Sequence, residues 1–196
     1  MNRLLLGFIL LVLCACTEND IDQQVDVVQE DNNTAIVTTG ISKINGVYKI
    51  DSLAILTNEN LDTLIAAVEE ADLVTYKDVA DIPPFIRTVL DSLTGGDFSI
   101  VNYGEDWQET DVIMGKLPER ELLYLGKGDD ITLLAYYTGG IGKSEHILIF
   151  RHKNGELTDF WAGNVLKNLK TKEDIVRYLK ENKNKEWGLN TNRVYL

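Results

Sequence analysis

The chain has 196 residues, 44% hydrophobic and 26% charged, and its 31 acidic and 19 basic side chains give a formal net charge of −12. That length and balance describe one globular domain with appendages, long enough to bury a core without metal or disulfide support. An acidic surface of this kind repels phosphate backbones and has no counterion-release drive, which sets nucleic acid aside as a partner.

The chain opens "MNRLLLGFILLVLCAC". Arg3 precedes an apolar run from Leu4 to Leu13, and small residues follow. This is the charged, apolar and cleavage-site layout of a secretory signal, and the run is shorter than the roughly 20 apolar residues of a membrane-spanning helix. Within it, Leu13, Cys14, Ala15 and Cys16 resemble the lipobox of bacterial lipoproteins. The resemblance implies removal of residues 1–15, a thioether-linked diacylglycerol on Cys16, and attachment to a membrane through the N-terminal lipid anchor. For a Gram-negative cell it further implies the outer membrane, because Thr17 is not the aspartate that resembles an inner-membrane retention signal. Glu18, Asp20 and Asp22 resemble the surface-export signals of some Bacteroidota lipoproteins, so the periplasmic face and the cell surface both stay open. The two cysteines are Cys14 and Cys16, so a processed, lipidated chain has no thiol, disulfide or cysteine metal ligand.

Residues 17–42 carry six acids and no base, with apolar residues in no helical or strand period. They read, with Cys16, as an acidic flexible tether over 16–42, leaving a single domain over 43–196. In "NENLDTLIAAVEEAD", Leu61, Leu64, Ile65 and Val68 share a helical stripe, with Asn58 or Asn60 available as N-cap. "IPPFIRTVLDSLTGG" repeats the device with Ile86, Val89, Leu90 and Leu93, opened by Pro83-Pro84 and closed by Gly95-Gly96.

Four β-branched or aromatic runs follow, at 121–125, 131–137, 146–152 and 156–162, separated by turn residues. A further strand is expected within 97–103. Asn154-Gly155 predicts a two-residue type I′ hairpin, flanked by Lys153 and Glu156 as an opposite-charge pair. Counting outward from that turn places Phe150 opposite Asp159, Leu148 opposite Trp161 and Ile149 opposite Phe160. "TKEDIVRYLKENKN" predicts a closing helix, with Thr171 and Asp174 in a capping-box arrangement. The expected fold class is α+β: an antiparallel sheet of four to six strands, two N-terminal helices (60–72 and 83–94) able to share one face, and a C-terminal helix covering part of the other.

Several constellations invite a chemical reading. "TGGIGKS" (138–144) has Gly142-Lys143-Ser144, but a Walker loop needs its first glycine where Tyr137 stands, and a strand rather than a helix follows. It reads as a hairpin turn relaxed by Gly139, Gly140 and Gly142, so no nucleotide and no other cofactor is expected. His146 and His152 bracket one strand about 20 Å apart, too far to share a metal. Ser144, His146 and Asp159 suggest a triad, but the counted register leaves His146 and Asp159 about 13 Å apart on one face and sets Asp159 diagonal to His152 as a charge pair at the solvent edge. Asp129-Asp130 reads as a polar turn rather than a calcium loop. Tyr103, Trp107, Tyr136, Tyr137, Phe160 and Trp161 are either core packing or the lining of a glycan or peptide groove, with Trp161 expected in the core. The Asp-Ser-Leu triplets at Asp51 and Asp91 and Asp-Thr-Leu at Asp62 resemble a short O-glycosylation motif.

Together these readings give an outer-membrane lipoprotein that acts by binding or as an envelope component, with Cys16 as its lipidation site and no catalytic or metal residues assigned. The alternative is an envelope or surface hydrolase acting on glycans or other polymers through paired carboxylates.

Overall fold

The computed structural model describes residues 38–96, 98–112, 115–165, 167, 169–185, 188–190 and 194–196, all within the unit formed by residues 36–196. The expected signal sequence, Cys16 and the expected tether up to residue 37 lie outside the described residues.

The domain is α+β. Its order is β1 (Ile41–Ile44), β2 (Val47–Ile50), α1 (Ser52–Leu56), α2 (Leu61–Glu70), β3 (Val74–Tyr76), a short 3-10 turn, α3 (Pro84–Leu93), β4 (Ile100–Val101), β5 (Arg120–Lys127), β6 (Ile131–Thr138), β7 (Ser144–Lys153), β8 (Glu156–Val165) and α4 (Lys172–Asn182). The main sheet runs β3-β5-β6-β7-β8, and β4 also joins β5. All pairings are antiparallel except β4 with β5, which is parallel. The other sheet is the hairpin β1-β2. Strand β1 starts at Ile41, so the last residues expected in the tether belong to the fold, with Gly40 and Ile41 buried.

Both tight hairpins follow from turn chemistry. Asn154 and Gly155 have φ of 53° and 76°, and Asn45 and Gly46 have 52° and 81°. Positive φ at both central residues is the type I′ turn that Asn-Gly favours. At the first turn Lys153 faces Glu156, but Glu156 pairs with Lys43 of β1 at 2.7 Å instead.

Each helix carries the stripe its sequence shows. Leu61, Leu64, Ile65 and Val68 are buried on α2, and Ile86, Val89 and Leu90 on α3. Pro84 stands in the first turn of α3, where its missing N–H costs nothing. Thr171 caps α4 by accepting from the Asp174 N–H at 3.1 Å, and Asp174 turns its carboxylate to Arg177.

Strands β6 and β7 are buried on both faces, as interior strands are when each face is covered. One face shows Leu134, Leu148, Phe150, Phe160 and Ala162; the other shows Leu133, Ala135, Ile147, Ile149 and Trp161. The two N-terminal helices do not share a face. Helix α2 lies on the Trp161 side beside α4, tied to it by Lys180–Glu69 and Lys183–Asp62. Helix α3 covers the other side, where Phe85 meets the His152 ring at 5.1 Å. Trp161 is fully buried, its indole N–H donating to Asn58 at 3.1 Å and its ring lying over Gly163, where a Cβ would meet it at 2.1 Å.

The counted β7–β8 register is corrected by a bulge. Thr158 has no cross-strand partner, so Arg151 faces Asp159, Phe150 faces Phe160, Ile149 faces Trp161 and Leu148 faces Ala162. One extra residue in a strand moves every later pairing by one step, and a count from the turn carries no sign of it.

Candidate ligand-binding groove

Side-chain alternation along the sheet separates two rows at the end formed by the 139–143 loop. On the α3 face, Leu122, Tyr136, His146 and Asn164 lie abreast. This row is sealed. Tyr136 is stacked on His146 with ring centroids 5.1 Å apart and 3° between planes, and Phe98 meets Tyr136 edge-on at 5.3 Å. The Arg120 guanidinium lies 4.5 Å over Phe98 and donates to the Leu196 carbonyl at 3.0 Å. Burial drives the His146 pKa down to about 4, against a backbone hydrogen bond at Tyr195. Burial likewise raises the Tyr136 phenol.

On the opposite face Glu121, Tyr137 and Glu145 lie abreast. Here Tyr137 is partly exposed, while Glu121 and Glu145 are buried. Trp107 is stacked with Tyr137, centroids 6.4 Å apart and 9° between planes, and Lys143 lies 4.4 Å over the Tyr137 ring. Glu121 accepts from the Gly104 N–H at 2.8 Å, and Glu145 from the Leu169 N–H at 2.9 Å. Burial raises the Glu145 pKa to about 7, although the Leu169 N–H and nearby Lys170 both act to lower it.

Beside this row a groove of about 330 Å³ opens, lined chiefly by Tyr76, Lys77, Tyr103, Leu123, Tyr124 and Lys170. Its origin is a gap in the sheet. The outer edge of β5 pairs with β4 at residues 120–121 and with β3 at residues 125–127. Between them a bulge at Leu123 breaks the ladder to β6. Bulges bend a strand and re-aim its side chains, and they gather beside functional sites. Tyr103 is 59% exposed. Lys170 lies 4.1 Å over the Tyr103 ring and donates to its hydroxyl at 2.8 Å, which raises the lysine pKa. At the far end Lys127 lies 3.6 Å over Tyr76. Among the described residues, no carboxylate stands within ion-pair distance of Lys77, Lys127 or Lys170.

The six aromatics therefore divide. Tyr136, Phe160 and Trp161 are core, whereas Tyr103 borders the groove and Trp107 and Tyr137 form the adjoining stack. The groove's other tyrosines, Tyr76 and Tyr124, carry no sequence signal, because β3 is three residues long and Tyr124 sits within a run that reads as an ordinary strand.

The remaining candidates fall into structural roles. Ser144 does meet His146, Oγ to Nε2 at 3.0 Å. The bulge, however, sets Asp159 opposite Arg151, five residues along β7 from His146 and on the other face. His146 and Asp159 are thus not on one face, and the carboxylate is not at a solvent edge with His152. Asp159 is buried and accepts from Gly40 N–H at 2.8 Å, Asn60 Nδ2 at 2.7 Å and its neighbour Phe160 N–H at 2.8 Å. It fastens the entry of the domain and the start of α2 to β8. Gly40 is held so closely that a Cβ there would meet the Phe160 carbonyl oxygen at 1.8 Å. Asn60 precedes α2 but spends its side chain on Asp159 and the Phe160 carbonyl rather than on capping.

His152 contacts Thr132 at 3.1 Å, and burial lowers its pKa. Asp130 pairs with Arg151 at 3.5 Å in the β5–β6 turn. The 139–143 loop joins β6 to β7, with Gly140 and Gly142 at positive φ and Lys143 bound to Glu109 at 3.0 Å. Asp51 caps the short helix α1 by accepting from Ala54 N–H at 3.1 Å. Among the described residues, no three His, Cys, Asp or Glu side chains gather as a metal site, and no helix is long and apolar enough to cross a membrane. No family model, curated protein or solved structure matches this chain, and the groove's chemistry is read from its own residues.

Proposed function

We propose that this protein is an outer-membrane lipoprotein, anchored through acylated Cys16, whose α+β domain binds an envelope ligand without transforming it. The anchor is supported by the Leu13–Cys16 pattern behind an apolar run. The binding role is carried by one observation: tyrosines and two lysines, without ion pairs among the described residues, line a groove at a break in the sheet edge. Tyrosine offers an apolar face and a hydroxyl at little conformational cost, which suits it to reversible contact.

A hydrolase reading draws on Glu121 and Glu145, which flank Tyr137 across three strands, about 10 Å apart at the backbone. Both carboxylates are buried, and each accepts a backbone N–H. That arrangement suits structure better than acid–base work on a polymer.

The test uses the full-length protein extracted in detergent. Intact mass should show acyl chains on Cys16, and immobilised envelope polymers should retain the wild type, while Tyr103→Ala folds normally and is retained at least tenfold less. An unmodified Cys16 defeats the anchor. Retention indifferent to Tyr103, or release of cleaved polymer, defeats the binding reading.

A further inference from the structure

We infer that the groove beside β5 takes a saccharide unit bearing a carboxylate, with Lys77 and Lys170 recognising the charge and Tyr103 the ring. The inference rests on the binding role proposed above and names its ligand class.

Three observations converge. The first is charge. In a chain of net charge −12, several lysines elsewhere pair with carboxylates, as Lys43, Lys143, Lys180 and Lys183 do. At the groove, Lys170 instead bonds a phenol, and Lys77 has no hydrogen bond or ion pair among the described residues. Two ammonium groups lining one groove favour an anion.

The second is shape. The groove, about 330 Å³, lies at the small end of ligand sites, enough for one or two rings. An extended peptide would have to lie along the outer edge of β5. That edge is taken by β4 at residues 120–121 and by β3 at residues 125–127, leaving about 13 Å of strand between the paired positions. A compact ligand fits the gap; an added strand collides with both neighbours.

The third is surface chemistry. Tyr103 is exposed and lines the groove with the partly buried Tyr76, so aromatic rings border the space, while Tyr124 is buried in its wall. A pyranose has both an apolar C–H face to lie on a ring and hydroxyls to pair with phenols. The carboxylate then completes the lysines.

The test titrates full-length protein in detergent with digalacturonate, with neutral galactobiose and with triglutamate, by calorimetry. Digalacturonate should bind saturably and at least tenfold more tightly than galactobiose, weakening as salt rises. The double variant Lys77→Ala/Lys170→Ala should erase that preference while keeping the wild-type melting temperature. Equal binding of the two disaccharides overturns the carboxylate assignment and leaves the groove as a ligand site. Binding of triglutamate alone overturns the saccharide in favour of an acidic peptide. Failure of all three probes overturns the inference, while retention on envelope polymers would still uphold the binding role. Binding of digalacturonate unchanged in the double variant places the ligand elsewhere and overturns it too.

Discussion

Tyr136 and Tyr137 are neighbours in the chain, as are Glu145 and His146, yet each pair is split between the two faces of the sheet. Tyr136 and His146 stack face to face beneath the α3 layer, with Arg120 and Phe98 closing over them. Tyr137 and Glu145 point the other way, into a row edged by Trp107, Lys143 and the groove lysine Lys170. Tyr136 is thus fully buried and Tyr137 partly exposed, one residue apart, whereas Glu145 and His146 are both buried, each on its own face. Alternation decides which, and alternation depends on register.

The largest effect should come from the sealed part of the molecule. Trp161→Ala should cost about 3–5 kcal/mol by urea denaturation, because it empties a fully buried indole site and removes the donor to Asn58 Oδ1. Tyr103→Ala should cost under about 0.5 kcal/mol. Equal costs would erase the distinction between core and groove.

Asp159→Ala should follow at about 2–3 kcal/mol, since it leaves Gly40 N–H and Asn60 Nδ2 buried without their charged acceptor. A neutral outcome would mean that the bulge holds the domain entry without its carboxylate.

Acid titration sharpens the contrast between the neighbours Glu145 and His146. Glu145 has its pKa raised to about 7 from 4.5, so its share of stability is complete below pH 4.5 and is lost as pH rises towards 7. His146 is lowered to about 4 from 6.5, so its share is complete above pH 6.5 and is lost as pH falls towards 4. The two slopes oppose each other. Relative to wild type, Glu145→Gln should therefore gain on the order of 2 kcal/mol as pH rises from 4.5 to 7. His146→Phe should gain on its wild-type reference as pH falls from 6.5 to 4. Denaturant midpoints across pH measure both, and a Glu145→Gln profile parallel to wild type would contradict the buried acid.

The smallest effect belongs to Lys143. Its partner Glu109 and the Tyr137 ring are both at the surface, so Lys143→Ala should change stability by less than about 0.5 kcal/mol. It should leave nucleotide binding undetectable before and after, and saturable ATP binding lost on substitution would restore the phosphate-loop reading.

Much of this architecture was legible in local pattern. The stripes of α2, α3 and α4, the four long strands and the Asn154-Gly155 turn are all short-range signals. Asn45-Gly46 carries the same hairpin signal, but the strands that flank it are four residues each, too short to stand out as periodic runs. The side on which each helix lies was not legible, because a stripe states that a face is buried and not against what. The bulges at Thr158 and Leu123 were equally silent, since nothing in either residue marks it as the unpaired one. Those two silent features decide the site. One removes Asp159 from His146, and the other lies where the β5 edge opens. Of the groove's residues, only Tyr103 stood out beforehand, as one aromatic among six.

The central claim is that ligand contact is confined to the groove side while the α3 face stays closed. Backbone amide shifts of isotope-labelled full-length protein in detergent, followed during a digalacturonate titration, test it most directly. Shifts are expected at Tyr76, Lys77, Tyr103, Leu123, Tyr124 and Lys170, with Tyr136, His146, Phe160 and Ala162 unmoved. Saturating shifts centred on Tyr136 and His146, with the groove residues still, would contradict it.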